Sequence, residues 1–441
     1  MTLKIDAIRA CFEGVIPGTM ATADLDGTPN ISYLSQVQYV DSEHVALTYQ
    51  FFNKTRQNLL VNPHALLTVI DPFTAAQYRL RLQFLRTETS GPLFESMKAK
   101  LAGIASHVGM SHVFQLRGAD VFRVNALEQV PGRTLPAPPP RRNLLSALRS
   151  ASDRIRPAGD LGQLLGAALD CLATEFDIGH AMALLYDDAG QRLYTLASRG
   201  YADSGVGSEI ALGDGVIGVA ARERTPIRIS HMTSEYAYGR AIRDSAAGGP
   251  GALELAIPLP GLAESRSQMA VPMIAGARLV GVLYVESPHD LRFSYDDEDA
   301  LVALAAQLAL AIRLVQADAV EDAPAADSAP AQPAGEPVAV RHYPENDSVF
   351  LDDDYLIKGV AGSIFSVLVH DCVEKGRTEF SNRELRLDPR IRLPDISDNL
   401  DARLLLLSRR LADRSACVRI EKTGRGRFKL CLARPLRLAD P

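Results

Sequence analysis

Apolar and polar residues alternate with period two through much of the first 130 positions. The segments 19–23, 30–40, 44–50, 65–71 and 78–88 follow this pattern and predict five strands. Asp24-Leu25-Asp26-Gly27 between the first two supplies the Asp-Gly pair that a tight hairpin turn wants. Two stretches switch to helical spacing. Ile5, Ile8, Phe12 and Val15 predict a short helix before Pro17, and Leu93, Met97, Leu101 and Ile104 predict another over 92–106. Short strands at 113–116 and 120–124 complete the set. Many antiparallel strands with two small helices predict a closed barrel.

After a proline-rich stretch at 132–142, Leu144, Leu145, Leu148 and Ile155 predict an amphipathic connector helix ended by Pro157. It either pairs with its copy in a dimer or docks on the next domain. From Asp160, a helix cap, the pattern runs helix, strand 181–186, turn, strand 192–198, a glycine-rich turn at Leu212–Gly218, and strand Pro226–Ile229. A second hairpin is expected from Ser267 to Glu286, then a long helix over 301–314. Near the C-terminus, helices are expected over 362–372, 382–387 and 400–412. A hairpin from Cys417 to Leu430 follows them.

Composition adds limits. The 441 residues suggest about three domains. Five widely spaced cysteines without a CxxC pair argue against a disulfide framework or zinc site. No basic-then-apolar leader and no spanning run are seen, so a cytoplasmic setting with no membrane contact is expected. The net charge of −6 is uneven. Residues 317–355 hold ten acidic residues and one basic, with Ala-Pro repeats, and predict a disordered linker. Residues 356–435 reverse the sign, with seventeen Lys or Arg against ten Asp or Glu.

The clearest chemistry lies where the strand 44–50 meets a helix, at Asn53-Lys54-Thr55-Arg56-Gln57-Asn58-Leu59. A helix N-terminus offers unpaired N–H groups and partial positive charge, and the cations and hydroxyl beside it make a phosphate cradle. Strand, Asn-Lys-Thr-Arg-x-Asn-Leu, Asn-Pro and strand together resemble the FMN-binding split barrel of the pyridoxamine 5′-phosphate oxidase superfamily. The resemblance implies Lys54, Thr55 and Arg56 as FMN-phosphate ligands with Asn58 nearby. Thr48, Tyr49 and Gln50 would lie along the flavin, and Ser35, Gln36 and Gln83 are candidates for the ring edge. It implies a homodimer with flavin at the interface. Superfamily members that bind haem or a deazaflavin leave the cofactor's identity open, with His107 and His112 as the nearest imidazoles. No counterpart of a vitamin B6 substrate-phosphate site is found.

The middle region resembles a GAF domain. It carries Gly213-Asp214-Gly215-Val216-Ile217-Gly218, then Ser267-Gln268-Met269-Ala270-Val271-Pro272, then Gly281-Val282-Leu283. The glycines are read as tight turn and close packing, because a lone glycine-rich turn is a weak dinucleotide signal. His231, Tyr236, Tyr238, Arg240 and Arg243 are candidates for a pocket mouth. The GAF ligand is not defined, and the cyclic-nucleotide residue set is absent. The C-terminal end, Arg409-Arg410-Leu411 with Ile420 to Leu430, is similar to the winged-helix output domains of bacterial response regulators. The helical pattern over 400–412 turns Arg403, Arg409 and Arg410 outward, and the resemblance implies that these and Arg414 contact DNA. Arg425, Arg427 and Lys429 would contact DNA from the wing.

The expected fold is multidomain α+β: a split β-barrel, a GAF α/β sandwich (an antiparallel sheet with flanking helices), and a winged helix. The boundaries read 1–131, a linker and connector over 132–158, GAF 159–316, acidic linker 317–355, and winged helix 356–435. The expected function is a flavin-binding, redox- or ligand-responsive transcriptional regulator. The alternative is an FMN-dependent oxidoreductase with regulatory domains; no catalytic residue and no metal site is named for either.

Overall fold

The computed structural model describes residues 3–34, 36–50, 53–107, 116–138, 142–230, 257–318, 335–391, 400–415, 417–424 and 426–439. After a 3₁₀ helix, Ile5–Phe12, come β1 (Gly18–Ala23), β2 (Pro29–Leu34), β3 (Val37–Tyr39) and β4 (His44–Tyr49). Then follow α1 (Lys54–Val61), β5 (His64–Ile70), β6 (Gln77–Glu88), α2 (Pro92–His107) and β7 (Gly118–Gln129). The expected single strand over 30–40 is two. β2 pairs with β1 and β3 with β4, at opposite edges of one seven-stranded sheet ordered β2-β1-β5-β6-β7-β4-β3. Strands successive in the chain thus sit at opposite edges, so the sheet is rolled into a split barrel. Ile8, Phe12, Leu67, Leu80, Leu82 and Phe122 fill it. The expected strand residues 113–115 lie outside the described residues.

The second unit begins with α3 (Leu144–Ile155) and α4 (Leu161–Thr174), capped by Asn143 and Asp160 as their side chains accept the N–H of Ser146 and Gln163. Next are β8 (His180–Asp187), β9 (Arg192–Arg199), β10 (Glu209–Ala211), α5 (Gly215–Glu223) and β11 (Ile227–Ile229). β12 (Ser267–Ala275), β13 (Arg278–Ser287) and α6 (Tyr295–Asp318) close it. The sheet runs β10-β9-β8-β13-β12-β11, with α3, α4 and α6 on one face and α5 on the other. Of the two readings for the connector, α3 docks on its own chain: Ala147, Ala151 and Ile155 are buried, and Ser152 Oγ donates to Gln307 Oε1 of α6 at 2.8 Å. The glycine-rich turn is structural. Gly213 has φ +90°, and a Cβ on Gly218 would sit 2.3 Å from the Ala211 carbonyl oxygen.

The third unit departs from the expected boundary. Residues 338–355, read as disordered, carry β14 (Val338–Tyr343), β15 (Ser348–Leu351) and β16 (Asp354–Ile357). Val338, Val340, Val349 and Leu351 point inward, and this alternation outweighs the acidic turns between them. Then come α7 (Gly359–Lys375), β17 (Glu379–Ser381), α8 (Asn382–Leu387) and α9 (Leu400–Arg414). The chain ends on a hairpin of β18 (Val418–Gly424) and β19 (Arg427–Leu432), then β20 (Leu436–Ala439). β20 runs parallel to β14 in a sheet ordered β16-β15-β14-β20, while β17 joins the hairpin as β17-β19-β18. Ser381 caps α8 in a full capping box with Glu384.

Two seams join the units. Buried residues of α3, α4, α6, α7 and α9 form one continuous apolar core across the second and third units. The first and second meet at Tyr295, which opens α6 yet belongs to the barrel's core.

Candidate functional site

Asn53 caps α1 through its side chain, which accepts the Arg56 N–H at 3.1 Å. The cap fixes the start of α1 and sets three side chains against the barrel. Lys54 Nζ lies 3.0 Å from Asp24 Oδ2 in the β1–β2 turn, and this bond holds the Asp24 carboxyl below the usual range. Thr55 Oγ1 donates to Ser32 Oγ at 3.1 Å and accepts from Asn30 Nδ2 at 2.8 Å. Arg56 Nη1 lies 2.7 Å from Asp120 Oδ1 on β7, with its guanidinium over the rings of Tyr49 and Phe84. Burial pushes the Asp120 carboxyl up, against the hydrogen bond from Thr87 and the charge of Arg56. Asn58 Nδ2 donates to Thr22 Oγ1, and its buried Oδ1 has no partner.

These elements enclose a cavity of about 220 Å³. Thr48, Tyr49, Gln50, Thr55 and Arg56 line it with Ser32, Tyr33, Leu47 and Phe122, so five expected cofactor residues meet at one place. Lys54, Asn58 and Gln83 are not among its lining: Lys54 is half-exposed at Asp24, Asn58 is buried on the inner face of α1, and Gln83 is half-buried on β6. Gln36 is buried, with its Nε2 on Gln38 at 3.4 Å. Ser35 and His112 lie outside the described residues, as do His231, Tyr236, Tyr238, Arg240 and Arg243. A phosphate would fit the polar end, where Thr55 and Arg56 converge beside a helix N-terminus. The volume is below the roughly 300–1,000 Å³ that encloses a whole organic ligand.

A sequence model of the family described as "Pyridoxamine 5′-phosphate oxidase" matches residues 5–125, and one described as "GAF domain" matches residues 158–313. The chain carries a pyridoxamine 5′-phosphate oxidase-like domain followed by a GAF domain. Solved structures of similar fold include a GAF domain of an Acinetobacter phosphoenolpyruvate-protein phosphotransferase, at 24% identity and a TM-score of 0.32 over 40% of this chain and 96% of that one. An FMN-binding protein from Syntrophomonas wolfei is 18% identical, covering 28% of this chain and 84% of that chain, with a TM-score of 0.25. Free methionine-R-sulfoxide reductase from Neisseria meningitidis is 19% identical over 40% of this chain and 91% of that one, with a TM-score of 0.31. No curated protein matches the chain.

The arginines of α9 depart from the sequence reading, which has Arg403, Arg409 and Arg410 facing outward. Arg403 is buried, 2.8 Å from Asp187 at the end of the GAF strand β8 and stacked on Tyr194 of β9. Arg409 donates to the carbonyl of Leu196 on β9. Arg410 is buried and donates to the Leu356 carbonyl of β16, within its own unit. The physical reason is the run Leu404-Leu405-Leu406-Leu407, which makes α9 apolar on more than one face. One face packs inward and the other meets the GAF domain, so arginines between the two are covered. Arg414 is exposed, Arg427 and Lys429 are half-buried on the hairpin, and Arg425 lies outside the described residues.

Sequence reasoning missed the barrel–GAF seam. Arg228 of β11 is fully buried between Glu13 (2.5 Å) and Glu298 (2.7 Å), and it lies over the Tyr295 ring. Desolvation weakens its hold on its proton, but the two glutamates outweigh that and raise its pKa. Lys100 of α2, also buried, donates to Gln38 Oε1 at 2.8 Å and to the Tyr295 hydroxyl at 3.3 Å. Burial, and then Arg228, pull the Lys100 amine down to about 7. Arg9 sits over the rings of Tyr39 and Tyr295 and reaches Asp299 at 2.6 Å. The sequence signal available was weak: an arginine at the centre of an apolar β-strand, Ile227-Arg228-Ile229.

Among the described residues no cluster of His, Cys, Asp and Glu is suited to a metal ion, and no helix is long and apolar enough to cross a membrane.

Proposed function

We propose that this chain is a flavin-binding, redox- or ligand-responsive regulator whose C-terminal unit is a DNA-binding winged helix. The observation that carries the reading is the junction between α9 and the GAF sheet. Arg403 and Arg409, two cations suited to DNA phosphates, are held by Asp187 and the Leu196 carbonyl. A sensor that grips the output helix directly can alter its availability by shifting its own conformation. The order of three helices, a short strand between the first two, and a terminal hairpin supports the winged-helix reading.

FMN is the cofactor that the pyridoxamine 5′-phosphate oxidase-like domain favours. Thr55 and Arg56 would hold its phosphate at the α1 N-terminus, Asp120 giving up part of its claim on Arg56. Thr48, Tyr49 and Gln50 would lie along it. Bound flavin would supply reversible two-electron chemistry. The small cavity leaves much of such a ligand uncovered, which favours a homodimer in which a second copy closes the site. Ile31 and Tyr33, exposed on the edge strand β2 beside the cavity, support that arrangement.

The absorption spectrum of the purified chain tests the cofactor. Flavin bands that disappear when Arg56 is replaced by Ala agree with the reading. A Soret band, or flavin retained undiminished by that variant, contradicts it. Steady oxidation of an added reductant, with no binding to duplex DNA under any flavin state, would instead favour an FMN-dependent oxidoreductase.

A further inference from the structure

A second, larger cavity of about 590 Å³ lies in the seam between the GAF domain and the C-terminal unit. Its floor is the start of α4 and the end of α6; its roof is α9 and the β18–β19 hairpin. Leu161, Val315, Leu404, Leu405, Ile420 and Phe428 give it an apolar body. Its polar groups are unevenly committed. Asp160 caps α4 and pairs with Lys422 at 3.0 Å, and Asp401 accepts a 2.6 Å bond from Asn382. Arg427 also lines the cavity, and its buried Nε has no hydrogen-bond partner. Within the lining, Lys422 and Arg427 face the carboxylates Asp160 and Asp401, and both carboxylates are already engaged, by Lys422 and by Asn382. A buried guanidinium nitrogen without a partner is costly, and an anion placed at Arg427 would satisfy it.

We propose that this cavity binds a small amphipathic carboxylate, its apolar body among the leucines and its carboxylate at Arg427, and that the occupant fastens the C-terminal unit to the GAF domain. The cavity's walls come from both units, so the complete site exists only while they are docked. A ligand of that arrangement alone raises its population. Neither the flavin nor the DNA reading is needed for this site.

Calorimetric titration of the full chain with 1-naphthylacetate and with its neutral amide tests the proposal. The acid should bind at least about tenfold more tightly than the amide, from the charged hydrogen bond it alone can make. Arg427→Gln should remove that preference while sparing amide binding. Leu405→Trp, at a half-buried position on the cavity wall, should abolish binding of both. Saturating acid should slow amide hydrogen exchange across 400–414. Equal affinity for acid and amide, binding unaffected by Leu405→Trp, or no binding of either probe would overturn it.

Discussion

Arg56 and Lys100 show how single charges decide what this molecule can do. Arg56 is committed to Asp120, so removing it strips a ligand contact and also strands a buried carboxylate. Losing one partner of a buried pair costs about 3–5 kcal/mol. Arg56→Ala should therefore lower thermal stability as well as flavin retention. The double variant Arg56→Ala/Asp120→Asn should recover much of the melting temperature without recovering flavin. Recovery of both would take Arg56 out of the cofactor site. Lys100 presents the opposite case. Its amine, at about 7 in the fold, lies well below its ordinary value near 10.4 in the unfolded chain. Between those values the unfolded state holds the extra proton, so stability rises with pH over that window and is lower below about 7. Lys100→Met should flatten the rise in melting temperature between neutral pH and pH 9; an unchanged slope would assign the rise to another group.

At the scale of elements, legibility in the sequence followed how local the cause was. The strand-to-helix turn at Asn53–Arg56 is readable because its cations and the helix start lie within a few residues. The partner of Arg56 was not, because Asp120 arrives from β7, and no periodicity links them. Strands β14 to β16 were hidden by the acidic residues of their own turns, though Val338, Val340, Val349 and Leu351 carry the alternation. For α9 the helical period was right, but a period does not say what covers the second face. The four consecutive leucines were the available signal. Since Asp187 is the anchor of Arg403, Asp187→Asn should loosen α9 from β8 and β9. Faster amide exchange in 400–414, with no change in the barrel strands, is the expected result. Unchanged exchange would mean that the apolar contacts alone hold the helix.

Across the whole molecule, three units are tied by two seams of different character. The GAF domain and C-terminal unit share an apolar core, whereas barrel and GAF domain meet through Arg228, Glu13, Glu298, Lys100 and Tyr295. A buried charge cluster holds strictly to one geometry, because displacement leaves charges unpaired. Glu13→Gln should weaken this seam and split one thermal transition into two, read by calorimetry; a single unshifted transition would show that the cluster does not couple the domains. Tyr295 of this seam lies in the barrel's core and opens α6, whose buried residues share one apolar core with α9. We propose that the state of the barrel reaches the C-terminal unit by this route and changes its hold on DNA. The direct measurement is the affinity of the flavin-loaded full chain for a labelled duplex, with the flavin oxidised and then reduced, over a salt series. A salt-dependent affinity that changes with flavin state, and loses that change in Glu13→Gln, is the predicted result. DNA binding that is absent, or identical in both states, would contradict it.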